Sequence, residues 1–180
     1  KRLGLIGLGN SGKALARIAG AAGMKIRALD VIEIPKDVVE DLNIESSGTL
    51  ESLDELLMES DYVSVHCPLT ESSKGMIGKR ELGLMKKNAR LINVARGAIV
   101  DEEALLEALK SGQIAGAGLD AYSSEPLDPN HPFLKLDNVI ASPHCAGVSF
   151  ETSKRRAQAV AENISRLARG EIPLHGITKG

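Results

Sequence analysis

The residues of this chain that could do chemistry fall into two groups. The first is Gly7-Leu8-Gly9-Asn10-Ser11-Gly12, a G-x-G-x-x-G run between an apolar segment and a helix-like one. In that setting the first glycine permits a tight turn, the second lets backbone approach a pyrophosphate, and the third lets helix and strand pack closely. The helix start then offers free N–H groups and a partial positive charge to phosphate oxygens. Asp30 closes the next apolar run, where a carboxylate accepts hydrogen bonds from a ribose diol and repels the 2′-phosphate of NADP. Val31, Ile32, Glu33 and Ile34 follow, with no Arg or Lys to receive that phosphate, so the pattern favours NAD. Taken alone, Asp30 reads equally well as a solvated turn aspartate. The second group is a guanidinium, a carboxylate and an imidazole, each just past an apolar run: Arg96 in Asn93-Val94-Ala95-Arg96-Gly97, Glu125 in Asp120–Pro126, and His144 in Ser142–Gly147. Singly, these read as a surface charge, a turn residue before Pro126 and a capped loop histidine.

The elements that must position these groups alternate between strand and helix. Apolar runs at Leu3–Gly7, Met24–Asp30, Tyr62–His66, Arg90–Ala95, Ile114–Asp120 and Asn138–Ser142 read as buried strands, with a brief edge strand near Glu45. Between them, Leu15, Ile18, Ala19 and Ala22 share one face of a helix stopped by Gly23, and Lys36–Leu42 reads as a short helix. Ser52 and Glu55 have capping-box spacing for a helix ending near Glu59. Lys79–Lys87 reads as a helix weakened by Gly83. Asp101 caps the next helix, with Glu102 and Glu103 at its positive end and Gly112 at its stop. Glu151–Arg169 is a long last helix, and the irregular stretch Tyr122–Asp137 caps one end of the sheet. Repeated strand–helix–strand units imply an α/β, doubly wound parallel sheet with helices on both faces. Ligands bind such sheets beyond the carboxyl ends of the strands, where Asp30, Arg96, Glu125 and His144 all fall.

Composition excludes several classes. The 180 residues carry a formal net charge of -2, which gives no electrostatic reason to expect nucleic acid or an anionic membrane as partner. No apolar run approaches the ~20 residues of a membrane helix, and no signal peptide is legible. Two Phe, two Tyr and no Trp leave the core to Ala, Leu, Ile and Val. Cys67 and Cys145 are too few and too far apart for a disulfide framework or a zinc site, which suits a reducing cytoplasm, and no metal is expected.

Together with His66-Cys67-Pro68-Leu69-Thr70, Met85-Lys86 and Arg96–Asp101, these segments resemble the D-isomer-specific 2-hydroxyacid dehydrogenase family, from about Leu3 to about Gly170. The general look is of its phosphoglycerate dehydrogenase and hydroxypyruvate/glyoxylate reductase branches. The resemblance implies a Rossmann NAD-binding domain over residues 1–170 and a tail at 171–180, with the substrate domain supplied by other segments. The piece alone is then expected to bind NAD and to turn over poorly. Implied roles follow residue by residue. His144 is the acid/base, Glu125 holds it and favours its charged form, and Arg96 grips the carboxylate of a 2-hydroxy acid. Gly7, Gly9, Asn10, Ser11 and Gly12 meet the pyrophosphate, and Asp30 meets the ribose. Cys67 and Pro68 border the adenosine; Val94, Ala95, Arg96 and Asp120 hold the nicotinamide half, and the His144–Gly147 loop closes over it. A homodimer is implied as well. His66 either brackets the cofactor or ends its strand, and His131 and His175 are expected to be non-catalytic. A formate dehydrogenase-like reading would pair the histidine with glutamine, against which Glu125 speaks. A non-enzymatic, NAD-sensing corepressor-like module remains the alternative from another class.

Overall fold

A computed structural model of the chain describes residues 1–174; of the expected tail at 171–180, His175 and the residues after it lie outside the described residues. By contacts these residues form two units, divided between His144 and Cys145.

The first unit is built on a parallel sheet of seven strands. They are β1 (Arg2–Ile6), β2 (Lys25–Asp30), β3 (Ser46–Thr49), β4 (Tyr62–Val65), β5 (Arg90–Asn93), β6 (Gly116–Leu119) and β7 (Val139–Ala141). The spatial order is β3-β2-β1-β4-β5-β6-β7, so the chain starts in the middle, winds to one edge, and returns to wind to the other. Every neighbouring pair is parallel, as the alternating pattern requires. The reversal of direction falls between β1 and β4, which opens a crevice beyond their carboxyl ends.

Five helices flank this sheet: α1 (Asn10–Ala21), α2 (Lys36–Asp41), α3 (Leu53–Glu59), α4 (Lys79–Leu84) and α5 (Glu102–Ser111). The core is correspondingly double. Leu3, Leu5, Ile26 and Ala28 pack with Ala16 and Ala19 of α1 on one side. Val63, Val65, Leu91 and Leu119 pack with Leu56, Leu82 and Leu105 of α3, α4 and α5 on the other. Each fully buried Leu or Ile is worth ~1.5–3 kcal/mol of transfer free energy, so this aromatic-poor core is built from many modest contributions.

Three local expectations change. Helix α1 buries Gly12, Ala16 and Ala19, while Ile18 is 69% exposed. The phosphate-type turn decides this rotation: a Cβ on Gly12 would overlap the carbonyl oxygen of Gly7, so the helix starts hard against the strand and only small residues fit beneath it. The Ser52–Glu55 capping box is not made. Ser52 closes a 3-10 turn (Leu50–Ser52) and its hydroxyl caps nothing, while Glu55 Oε2 lies 2.5 Å from Arg27 Nη2. Helix α4 ends at Leu84 rather than Lys87, because Met85 turns extended and drops into the core. Other signals hold: the Asp101 carboxylate accepts from the Glu103 and Ala104 N–H groups at 3.1 Å, and Gly112 closes α5 at φ 68°.

The second unit, over its described residues, is helix α6 (Phe150–Ala168), capped by the Ser149 hydroxyl on the Thr152 N–H. Residues 171–174 fold back on it: Asn163 bonds the backbone of Leu174 twice, and the Arg166 guanidinium donates to the Ile172 carbonyl. Among the described residues no helix is long and apolar enough to cross a membrane.

Candidate active and cofactor site

The glycine turn sits at the carboxyl end of β1. Gly7 adopts φ 96°, a left-handed conformation that a side chain would strain, and a Cβ there would crowd the Cys67 backbone. The Asp30 carboxylate fixes the turn from the end of β2: Oδ2 accepts the Leu8 N–H and Oδ1 accepts the Val31 N–H, both at 2.7 Å. Each oxygen retains a lone pair for an incoming hydroxyl. Nothing lies within 4 Å of where a Cβ on Gly9 would stand. The first intrahelical bond of α1 runs from Lys13 N–H to the Gly9 carbonyl, so the N–H groups before it have no helical acceptor. A cradle open above Gly9 and lined by unspent N–H groups fits a dinucleotide pyrophosphate.

Beside the turn is a cavity of about 390 Å³, whose lining includes Gly7, Gly9, Asp30, His66, Cys67 and Pro68. Burial pushes the Cys67 thiol above the usual thiol range, and the charge of Asp30 acts in the same direction. Thr70, at the end of the His66–Thr70 segment, lines the same cavity, as do Ser72 and Ser73, which no spacing signal in the sequence marks.

Arg96, Glu125 and His144 follow β5, β6 and β7, three adjacent parallel strands, so topology alone brings them to one end of the sheet. His144 Nδ1 stands 2.7 Å from Glu125 Oε2. The other oxygen, Oε1, accepts the Tyr122 N–H at 2.9 Å. The Tyr122 N–H, the His144 ring and the charges of His144 and Arg96 together hold the Glu125 carboxyl below the usual carboxylate range. His144 itself has φ 51°, rare for a side-chain-bearing residue. The Arg96 side chain is exposed, with Nη1 donating to the Ala95 carbonyl at 2.7 Å. A cavity of about 450 Å³ adjoins the pair, lined by both together with Tyr122, Leu127, Leu134 and Pro143.

Several positioning groups escape sequence reasoning. The buried Asn93 side chain donates to the Arg96 carbonyl at 2.9 Å and accepts the Ala95 N–H at 3.1 Å, which shapes the Val94–Arg96 turn. Gly97 packs so closely under Tyr122 and Ser123 that a Cβ would overlap the Tyr122 carbonyl carbon. The Tyr122 hydroxyl lies 3.0 Å from the Leu119 carbonyl and 3.1 Å from that of Ser142, tying the β6 exit to the β7 exit. Asp120, by contrast, is one of the residues expected from the sequence; it is buried, and its Oδ1 accepts the Ser142 hydroxyl at 2.6 Å. His131 caps the 3-10 turn Pro132–Lys135, away from any of these groups in role. Cys145 and Gly147 belong to the second unit.

Comparison with known proteins bears on this arrangement. Residues 1–146 match the family model described as D-isomer specific 2-hydroxyacid dehydrogenase, NAD binding domain. A glyoxylate reductase of Korarchaeum cryptofilum is 47% identical over 173 residues, which are 96% of this chain and 51% of the relative. A D-3-phosphoglycerate dehydrogenase of Methanocaldococcus jannaschii is 42% identical over 172 residues, 96% of this chain and 32% of that one. Among solved structures, D-lactate dehydrogenase with NAD+ from Lactobacillus jensenii superposes with a TM-score of 0.89 at 34% identity, covering 99% of this chain and 56% of its own. The chain thus spans about half the length of the glyoxylate reductase it matches.

Proposed function

This chain belongs to the D-isomer specific 2-hydroxyacid dehydrogenases as their NAD-binding domain, and on that premise we propose that the whole protein interconverts a D-2-hydroxy acid and its 2-keto acid. The observation that carries the reading is the 2.7 Å pair of Glu125 and His144 on neighbouring strand exits, with Arg96 on the next. Bound NAD supplies the hydride acceptor. His144 takes the proton of the substrate hydroxyl through its free Nε2 face, since Nδ1 is held by Glu125. Glu125, kept ionised, orients the ring and stabilises the imidazolium that forms. Arg96 binds the substrate carboxylate with its planar fork and polarises the C2 oxygen. Asp30 accepts the adenosine ribose hydroxyls and repels a 2′-phosphate, which selects NAD over NADP. The names of the relatives divide between glyoxylate, a small keto acid, and 3-phosphoglycerate, which carries a phosphate. A cytoplasmic homodimer belongs to the same proposal.

The test uses the full-length protein. Glyoxylate with NADH, and D-3-phosphoglycerate with NAD, are assayed separately, and turnover is expected with one of them. His144→Ala should lower kcat by roughly 10²–10⁴, the range for a lost acid/base group. NAD should raise the melting temperature well beyond NADP, and Asp30→Ala should narrow that gap. Equal stabilisation by both cofactors would refute the role given to Asp30. Undiminished turnover in His144→Ala would refute the acid/base assignment.

A further inference from the structure

His66 is the first residue after β4, and neither of its ring nitrogens is idle. Nε2 lies 2.9 Å from the Ser64 hydroxyl, and Nδ1 lies 2.9 Å from the hydroxyl of Ser11, in the first turn of α1. The residue is wedged against the glycine turn: a Cβ on Gly7 would stand 2.9 Å from the His66 carbonyl carbon, and one on Gly12 would stand 3.7 Å from its Cβ. We infer that His66 is a positioning residue for the dinucleotide pyrophosphate, fixing the Ser11 hydroxyl as a donor aimed at the anion through a relay that runs Ser64, His66, Ser11. The inference rests on the cofactor reading given above and deepens it.

The direction of the relay follows from counting protons. A neutral imidazole has one donor and one acceptor nitrogen. If Ser11 donated to Nδ1, then Nε2–H would donate to Ser64, and the Ser64 proton would need a further acceptor. Ser64 is 1% exposed on a central strand, and among the described residues its hydroxyl is bonded to His66 alone. A buried hydroxyl proton with no acceptor is the costly arrangement. In the opposite direction every group is satisfied. Ser64 O–H donates to Nε2, Nδ1–H donates to Ser11 Oγ, and the Ser11 O–H is left for an acceptor outside the protein. An imidazolium would again strand the Ser64 proton, and burial holds the His66 ring below the usual histidine range. Ser11 therefore adds a hydroxyl donor to the unspent N–H groups of its own helical turn.

The test measures equilibrium binding to the full-length protein of three probes: NADH, ADP-ribose, and adenosine, which lacks the pyrophosphate. Ser11→Ala and His66→Phe are each expected to weaken NADH and ADP-ribose about tenfold, the scale of one hydrogen bond to a charged group, and to weaken adenosine by much less. The double variant should be no weaker than Ser11→Ala, because His66 acts through that hydroxyl. His66→Asn, which keeps an N–H near the Nδ1 position, should restore most of the affinity. His66→Gln replaces His66→Phe if the latter does not fold, since its amide is displaced from the Ser11 side. Parallel losses for adenosine, or a full His66 effect in the Ser11→Ala background, would overturn the relay and leave His66 a packing residue. Absence of NADH and ADP-ribose binding by the unsubstituted protein would overturn the cofactor reading itself.

Discussion

At the scale of single residues, the pair of Glu125 and His144 combines strain with hydrogen bonding. A left-handed backbone at His144, costing ~1–3 kcal/mol, is retained where surrounding structure over-determines it. Here the determinants are the Ser142 carbonyl, which accepts the His144 N–H at 3.0 Å, and the carboxylate of Glu125. Because the folded state depresses the Glu125 pKa, its negative charge is present at and above the ordinary carboxylate range and is lost only as pH falls through the lower, folded value. Glu125→Gln removes that charge but keeps the shape. It is expected to lower kcat while NAD affinity is kept, because the ring loses the anion that orients it and stabilises its charged form; an undiminished kcat would show that the two residues do not act together. Tyr122→Phe leaves the ring in the core but deletes the hydroxyl between the Leu119 and Ser142 carbonyls. A stability loss of ~1 kcal/mol with a larger loss in kcat than in KM is expected from that variant, read by urea titration and steady-state kinetics. Cys67 offers a probe of the cofactor cavity. Its thiolate forms only above the usual thiol range, so alkylation should rise at higher pH than for a small-molecule thiol, and saturating NADH should slow it.

At the scale of elements, close approach rather than propensity sets the geometry. The short 3-10 turn Gly97–Ile99 lies directly under the Tyr122–Ser123 backbone, which is how the exits of β5 and β6 come near enough for Arg96 to influence Glu125. Gly97→Ala is expected to cost ~3 kcal/mol or more, since backbone and not a flexible side chain must move. Helix α1 makes the complementary case. Ile18→Lys on its outer side should leave stability within ~0.5 kcal/mol, whereas Ala16→Leu beneath it should cost ~1–3 kcal/mol by overpacking. Denaturant midpoints of the two variants check the rotation of the helix; the reverse order would place Ile18 in a buried seam.

At the scale of the first unit, the two ends of the sheet divide the labour. The carboxyl ends carry the glycine turn, Asp30, Arg96, Glu125 and His144. The amino ends carry a lattice of ion pairs: Arg2 with Glu45 and Glu59, Arg27 with Glu55 and Glu59, and Asp61 with Lys1 and Lys86. The glutamates in this lattice are largely solvated, and such pairs are each worth at most ~1 kcal/mol. Arg27, itself only 11% exposed, makes two such pairs, so Arg27→Met should cost at most about 2 kcal/mol and leave NADH affinity unchanged. A loss of cofactor affinity would mean that the two ends of the sheet are mechanically coupled.

By itself the sequence determined the alternation of strands and helices, the parallel sheet, the glycine turn and the three chemically capable residues beyond strand ends. These are local or periodic properties: apolar spacing, turn residues, and a titratable side chain placed where a buried run stops. It also determined the Asp101 cap, because Asp101 and its acceptor N–H groups are near neighbours in the chain. Only tertiary structure decided which neighbours those residues meet. Ser11 and His66 are brought together because β1 and β4 are adjacent at the reversal of the sheet, and no spacing announces it. The bond from Asp30 to the Leu8 N–H, the Tyr122 clamp and the Gly97 contact arise in the same way, between strand exits distant in sequence. The rotation of α1 and the unmade Ser52 cap have one cause. Apolar period and capping spacing state what an isolated helix would prefer, whereas the close packing of Gly12 on Gly7 and the ion pair of Glu55 with Arg27 are rewarded only once the sheet exists.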